Sequence, residues 1–257
     1  MLNFRNINIL FVILLAAGIW GQFHYGLHWS IFLLLFVIYS LIVFYGCYYI
    51  GSNFFMKVVC AAETTSKEIA ISFDDGPAVK HTPEILDILQ RENVKAAFFC
   101  IGNRIHGNES IMQRIKAEGH LLGNHSYSHH FWFDMFSAKK MLADLRMMDE
   151  AMKNATGLRP RLFRPPYGVT NPNLKKAVEN GGYIPVGWNV RSLDTVIKDE
   201  HKLLEKIKAG IKPGAVFLFH DTSKATLAVL PEFLQEVKIK GYRVMPLDKL
   251  LHLPAYA

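Results

Sequence analysis

Two kinds of apolar pattern divide the chain. From Asn6 to Met56 there is no Asp, Glu, Lys or Arg, and two apolar runs, residues 7–20 and 31–50, fill the region. A membrane-spanning helix needs about 20 mostly apolar residues. The second run meets that length, and the first approaches it by extending into the more polar GQFHYG. Trp20, Tyr25, Trp29, Tyr48 and Tyr49 stand near the run ends, where an aromatic belt would lie. The pattern predicts a two-helix transmembrane region over 1–56. For the first run alone a cleaved signal peptide is the other reading, with Arg5, an apolar core, then Ala16 and Ala17.

After a polar stretch (57–66, read as a linker) short apolar runs alternate with amphipathic ones. Strands are expected at 69–73, 96–101, 121–123, 162–164, 183–188, 215–219 and 242–245. The helices between them have readable ends. Thr82 caps a helix with Pro83 in its first turn, and Asn171 with Pro172 repeats that logic, ending at Gly181. The longest helix follows Ser137 and stops at Gly157, its methionines filling core. Two more start near Asp199 and Lys224, the latter carrying Pro231. Alternating strands and helices imply a parallel sheet covered by helices. The roughly 190 residues of 67–257 are few for an eight-unit barrel of about 250. The expected class is therefore α/β, a distorted incomplete (β/α) barrel of about seven strands behind the transmembrane hairpin, with an open doubly wound sheet as the alternative. FDDGPAVK, after the first strand, matches no dinucleotide or nucleotide fingerprint.

Charge adds little to this picture. The 29 Lys and Arg against 22 Asp and Glu give a formal +7, but they are scattered and no aromatic-basic module accompanies them, so no nucleic-acid partner is expected. No feature specifies a protein partner. Arg5, Lys57 and Lys67 flank the hairpin while its connecting loop has no Lys or Arg. The cell membrane is thus the expected location. The side of the catalytic domain stays undecided, with a lean towards the cytoplasm. Cys47, Cys60 and Cys100 make neither a disulfide framework nor a zinc-cysteine spacing.

The unusual polar residues gather where strands end, which is where barrel and open-sheet enzymes build their sites. The first strand ends in Asp74-Asp75, and the third runs into GNHSYSHH with His125 and His129. The fourth ends in RPPYG with Arg164 and Tyr167, the fifth is followed by Asp194, and the sixth ends in His220-Asp221. Each feature alone has a bland reading: a turn, a chance histidine pair, a surface arginine. Five on one rim form a constellation. His125 and His129 are four apart, so one helical turn would put both rings on one face. Two imidazoles and a carboxylate with an open fourth position make up a catalytic zinc site. Asp75 as a ligand would relieve its repulsion with Asp74, leaving Asp74 to act as a base and His220, on another strand, as the acid.

The ordered set SFDDGP, HSYSH, RPPYG, WNVRSLDT and FLFHD resembles the polysaccharide deacetylase family, also called the NodB-homology or carbohydrate esterase family 4 domain, from about Lys67 to Leu250. The resemblance implies a distorted barrel and metal-dependent removal of acetyl groups from carbohydrates. It implies Asp75, His125 and His129 as ligands of one divalent ion, zinc first, with cobalt, nickel or manganese as alternatives. It further implies Asp74 as general base, His220 as general acid and the Tyr167 N–H as an oxyanion donor. Arg164 would tune Asp74, Asp194 would hold Arg164, and Leu218 with Trp188 would line a pocket for the acetyl methyl. Many members read Asp-x-x-Asp-Trp after the fifth strand, where this chain has RSLDT, placing Arg191 and Thr195 at the first acid and the tryptophan. The expected substrate is an N-acetylated amino sugar of a peptidoglycan- or chitin-like polymer. A lipid-linked sugar precursor, deacetylated or deformylated, is one alternative; a catalytically silent, membrane-tethered sugar-binding protein and a metal hydrolase of another bond are the others.

Overall fold

The computed structural model describes residues 3–257. In it α1 (Phe4–Tyr25) and α2 (Ser30–Tyr48) form an N-terminal hairpin. The domain then runs β1 (Glu68–Asp74), α3 (Thr82–Arg91), β2 (Ala97–Cys100), α4 (Glu109–Ala117), β3 (Leu121–Asn124), α5 (Ala138–Thr156), β4 (Leu162–Phe163), α6 (Pro172–Gly181), β5 (Ile184–Pro185), β6 (Val190–Arg191), α7 (Glu200–Ala209), β7 (Val216–His220), α8 (Lys224–Ile239), β8 (Arg243–Val244) and α9 (Leu247–Leu251).

Period-two alternation sets the layers. On β1, Ile69, Ile71 and Phe73 join the core beneath the helices, while Ala70 joins the core inside the sheet's curl. On β7, Phe217 and Phe219 pack outward while Val216 faces inward. Small inward residues suit the narrow concave side. Seven strands in the order β5-β4-β3-β2-β1-β7-β6, every neighbour parallel, curl into a half-barrel, and β8 pairs with the start of β1. This is the incomplete barrel expected from the pattern, not the flat doubly wound sheet.

Three local readings are corrected. The fifth expected strand, 183–188, is only Ile184–Pro185, and the chain re-enters the sheet at Val190–Arg191 on the opposite edge. At the break the carbonyls of Val186 and Gly187 accept from the Arg164 guanidinium instead of a strand. Residues 57–66, read as a linker, are bonded into the domain: Val59 bridges Val186 and Ala61 bridges Ala215. They cover the opening between the two sheet edges, which an unpaired edge otherwise leaves exposed. Finally, α4 was not foreseen, and the α3 cap position is His81 rather than Thr82. Thr82 instead accepts from the Ala78 N–H and donates to Asp221.

The hairpin has a different character. α1 and α2 hold 22 and 19 residues, about 33 and 28 Å at 1.5 Å per residue, against a hydrocarbon core of about 30 Å. Both are long and apolar enough to cross a membrane. Most of their large apolar side chains are exposed, among them Val12, Trp20, Phe36 and Leu41. They meet through Tyr39 Oη, which donates to Asn8 Oδ1 at 2.8 Å. Gly26, with φ of 65°, ends α1 in the left-handed conformation that glycine adopts without strain.

Candidate active site

Eight of the ten expected site residues line a cavity of about 190 Å³ at the carboxyl rim of the half-barrel (Asp74, Asp75, His125, His129, Tyr167, Trp188, Leu218 and His220), with Arg191 and Thr195 beside them, while Arg164 and Asp194 are buried behind it. β1 delivers Asp74 inward by alternation. Asp75 then enters the left-handed region at φ of 75°, so the two acids part. Gly76 follows because a Cβ there would collide with the Asp221 carboxylate beneath.

The two histidines are brought together, but not by a helical turn as the spacing suggested. Ser126 and His129 both have positive φ (66° and 43°), folding the loop back so that the rings lie 4.9 Å apart. The Asp144 carboxylate anchors this loop by accepting from the Tyr127 and Ser128 N–H groups. His129 Nε2 lies 3.4 Å and His125 Nε2 3.5 Å from Asp75 Oδ1. His125 Nδ1 is 2.8 Å from the Arg164 carbonyl. A carbonyl can only accept, so Nδ1 carries a proton and Nε2 is the nitrogen turned towards Asp75. Burial opposes charge on this ring, but Asp74 and Asp75 raise its pKa, so Nε2 gives up a proton when an ion binds.

The three donor atoms all lie within 4.8 Å of one another. Donors around a tetrahedral ion bound at about 2.0 Å are separated by about 3.3 Å. The carboxylate–imidazole spacings match that value, so the set fits a small divalent ion. Burial by itself would raise the Asp75 pKa, but the hydrogen bond and charge of His125, with His129 and His220, hold it well below the usual carboxylate range. His129 is pushed down to about 4 by burial and by His125. The ordinary state is thus an ionised carboxylate beside a neutral ring, both competent to ligate.

Asp74 stands apart from this triangle. It is buried, its Oδ2 3.9 Å from His125 Nε2 and its Oδ1 accepting from Arg164 Nη1 at 2.7 Å. Arg164 is fully buried within the curl, its guanidinium 4.0 Å from the Phe99 ring centroid. Three more of its N–H groups go to Ser72 Oγ, Val186 O and Gly187 O. Every donor nitrogen is thereby used. The two adjacent acids are tolerated because each has its own cationic or ligating partner.

The expected contact between Asp194 and Arg164 does not form. Asp194 holds His220 instead: Oδ1 lies 2.7 Å from His220 Nδ1 and Oδ2 accepts the His220 N–H at 2.7 Å. Thr226 Oγ1 also donates to Asp194, and Ser223 Oγ to its carbonyl. Arg164 is already engaged through all three of its nitrogens inside the curl, whereas Asp194 lies on the β6 side, next to β7. Sequence reading missed Thr226 and Ser72. Ser72 had a signal, two residues before Asp74 and hence on its face; Thr226, a turn into α8, had none.

Burial favours the neutral His220 ring, but the hydrogen bond and charge of Asp194, with Asp74 and Asp75, raise its pKa above the ordinary value. A raised pKa keeps the ring protonated to higher pH. If His220 serves as an acid, Asp194→Asn should move the alkaline limb of the pH–rate profile to lower pH. An unmoved limb would mean that another group sets it.

Tyr167 takes the left-handed φ of 59° at the rim, its ring against that of His129 at 4.7 Å. Among the described residues its N–H has no protein acceptor. Leu218, nearly fully buried, and Trp188, whose ring lies against Gly168, give the cavity an apolar wall.

A curled parallel barrel with acids, imidazoles and a donor triangle gathered at its strand ends has the architecture of a hydrolase. The comparisons agree. The polysaccharide deacetylase family model matches residues 61–186. A peptidoglycan-N-acetylglucosamine deacetylase from Listeria monocytogenes is 36% identical over 186 residues, covering 72% of this chain and 39% of the relative, so the chain spans about four-tenths of that protein. A peptidoglycan-N-acetylglucosamine deacetylase from Bacillus cereus is 32% identical, covering 72% of this chain and 88% of the relative. Among solved structures, the chitin deacetylase from the fungus Colletotrichum lindemuthianum superposes with a TM-score of 0.72 at 27% identity, covering 78% of this chain and 95% of that one. The chain belongs to the polysaccharide deacetylase family, a family of hydrolases.

Proposed function

We propose that the protein hydrolyses the N-acetyl group of an amino sugar of the cell envelope, yielding acetate and a free amine, and that its N-terminal helices hold it in the bilayer. The observation that carries this is the separation of two neighbouring acids into different tasks. Asp75 belongs to the donor triangle, while Asp74 is held by Arg164 beside it.

Asp75, His125 and His129 would hold a divalent ion, for which their imidazole-carboxylate chemistry fits zinc first. Such an ion supplies Lewis acidity to a carbonyl oxygen and to water at neutral pH. The remaining steps fall to side chains. Asp74 takes the proton from the attacking water, its orientation fixed by Arg164. The Tyr167 N–H donates to the oxygen that gains negative charge on the tetrahedral carbon. His220, kept protonated by Asp194, gives its proton to the sugar nitrogen as the amide C–N bond breaks. Leu218 and Trp188 accommodate the acetyl methyl, an apolar group matched to an apolar wall.

This reading is tested by incubating the detergent-purified full chain with N-acetylglucosamine oligomers and following acetate and free amine together. Equal amounts of the two products are expected. Acetate from O-acetylated sugars alone would overturn the N-acetyl assignment. A catalytically silent sugar-binding role is disfavoured because the candidate base, acid and three donors are all present in one cavity.

A further inference from the structure

The cavity opens between the loops that follow β1, β3, β4 and β6. Beyond the hairpin and its flanking Tyr49, eight large apolar side chains are exposed among residues 50–257, and six of them lie on these loops: Val79, Phe131, Trp132, Met135, Tyr167 and Val196. Phe131 and Met135 are 70% and 73% exposed. Scattered exposed apolar residues need no explanation, whereas their concentration on one edge marks a surface that leaves water.

The same edge carries the base of the hairpin. Thr170, three residues beyond Tyr167, donates from its N–H to Cys47 O at 3.0 Å and from its hydroxyl to Gly46 O at 3.2 Å. The rim loop after β4 thus satisfies the last carbonyls of α2. Asn171 then donates to Asp134 O at 2.7 Å, tying in the loop that bears Phe131, Trp132 and Met135. Phe4, Arg5, Phe54 and Phe55 border a shared cavity with Pro172 at the start of α6. The end of α2 therefore meets the domain at the catalytic rim, and the start of α1 borders α6 from Pro172 to Glu179 beside it.

Charge agrees with an acidic lipid surface. Lys80, Lys139, Lys140, Lys176, Lys198 and Lys224 are exposed towards the rim-side ends of the helices, against Glu84, Glu109, Asp134, Asp199 and Glu200. Exposed lysines close to a bilayer surface attract anionic headgroups. Inside the mouth, Arg191 lines the cavity, and among the described residues its guanidinium makes no hydrogen bond or ion pair, its backbone alone pairing with β7. A guanidinium free of carboxylates beside the acetyl site is suited to a phosphate oxygen pair.

We infer that the substrate is an N-acetylated amino sugar carried on a membrane lipid through a phosphate, presented from the bilayer surface on which the rim rests. The inference depends on the deacetylase reading and specifies its substrate. Water cleaves the amide C–N bond to give acetate and the amine, while the phosphate linkage to the lipid is untouched. Arg191 binds the phosphate, and the apolar rim residues keep the mouth at the depth of the headgroups.

The test uses the full chain in vesicles of anionic phospholipid. Acetate release is compared between N-acetylglucosaminyl pyrophosphoryl polyprenol in the same bilayer and soluble N-acetylglucosamine oligomers at equal bulk concentration. The lipid-borne sugar is expected to react about tenfold faster or more, since a shared surface raises effective concentration. Phe131→Ser combined with Trp132→Ser, and separately Arg191→Ala, should each lower the ratio of the two rates by about fivefold, the scale of a kcal/mol-sized contact. Soluble oligomers or peptidoglycan fragments reacting as fast as the lipid-borne sugar, with the ratio unmoved in both variants, would overturn the inference and leave the deacetylase reading intact. Acetate from none of the substrates would overturn both.

Discussion

Asp74→Asn should lower turnover about a thousandfold, within the range of general-base contributions, while leaving one divalent ion bound per chain. Asparagine nearly matches the shape of aspartate, and its side-chain oxygen can still accept from Arg164 Nη1, as Asp74 Oδ1 does at 2.7 Å. It cannot take a proton from water. The ion-binding donors are untouched, because Asp75 Oδ1, His125 and His129 form the triangle without Asp74. Metal content by elemental analysis, set beside single-turnover acetate release, separates the two roles. Loss of the ion from the variant would show that Asp74 is itself a ligand and that the division between the acids is wrong.

The second large effect is on stability. Arg164→Met should cost about 3–5 kcal/mol, the usual result of removing one partner of a buried ion pair. Arg164 and Asp74 are both almost inaccessible to water. The guanidinium also serves Ser72 Oγ and the carbonyls of Val186 and Gly187, where the chain leaves the edge beside β4. Methionine fills much of the volume but leaves a buried carboxylate and two carbonyls without a donor. Lysine should not rescue, since one ammonium cannot reproduce four directed contacts. Adding Asp74→Leu to Arg164→Met should recover part of the loss, because the uncompensated charge disappears. Denaturant unfolding in detergent, followed by tryptophan fluorescence, measures all three. An Arg164→Met variant as stable as the parent would mean that the buried pair contributes nothing to holding the curl closed.

Much of this was legible before any coordinates. Strand placement followed from apolar runs between helix signals, and the Asn171 cap acts as such, its side-chain oxygen accepting the Leu174 N–H. The rim constellation was legible because a parallel barrel sends every strand end to one side, so residues far apart in sequence could be assigned a common place. What a carboxylate touches once there was not legible. Asp194 had two cationic candidates, Arg164 and His220, and the choice depended on which edge of the open sheet carries it.

The histidine pair shows a related limit. A spacing of four fits a helical turn, but here positive φ at Ser126 and His129 brings the rings together, and neither residue is a glycine that would announce it. The polar stretch 57–66 read as a linker because pairing across the barrel opening is a tertiary event with no local period. The helix α4 escaped notice for a simpler reason: only Met112 and Ile115 are buried along its nine residues, too few to stand out as a periodic stripe.

The central claim is that Asp75, His125 and His129 hold one ion without which the amide is not cleaved. It is tested most directly by stripping the chain with a chelator in detergent and titrating zinc back while following acetate release from N-acetylglucosamine oligomers. The account requires activity to vanish on chelation and to rise linearly to a plateau at one zinc per chain, with no such rise in His129→Ala. Acetate release that survives chelation undiminished in the stripped protein would contradict it.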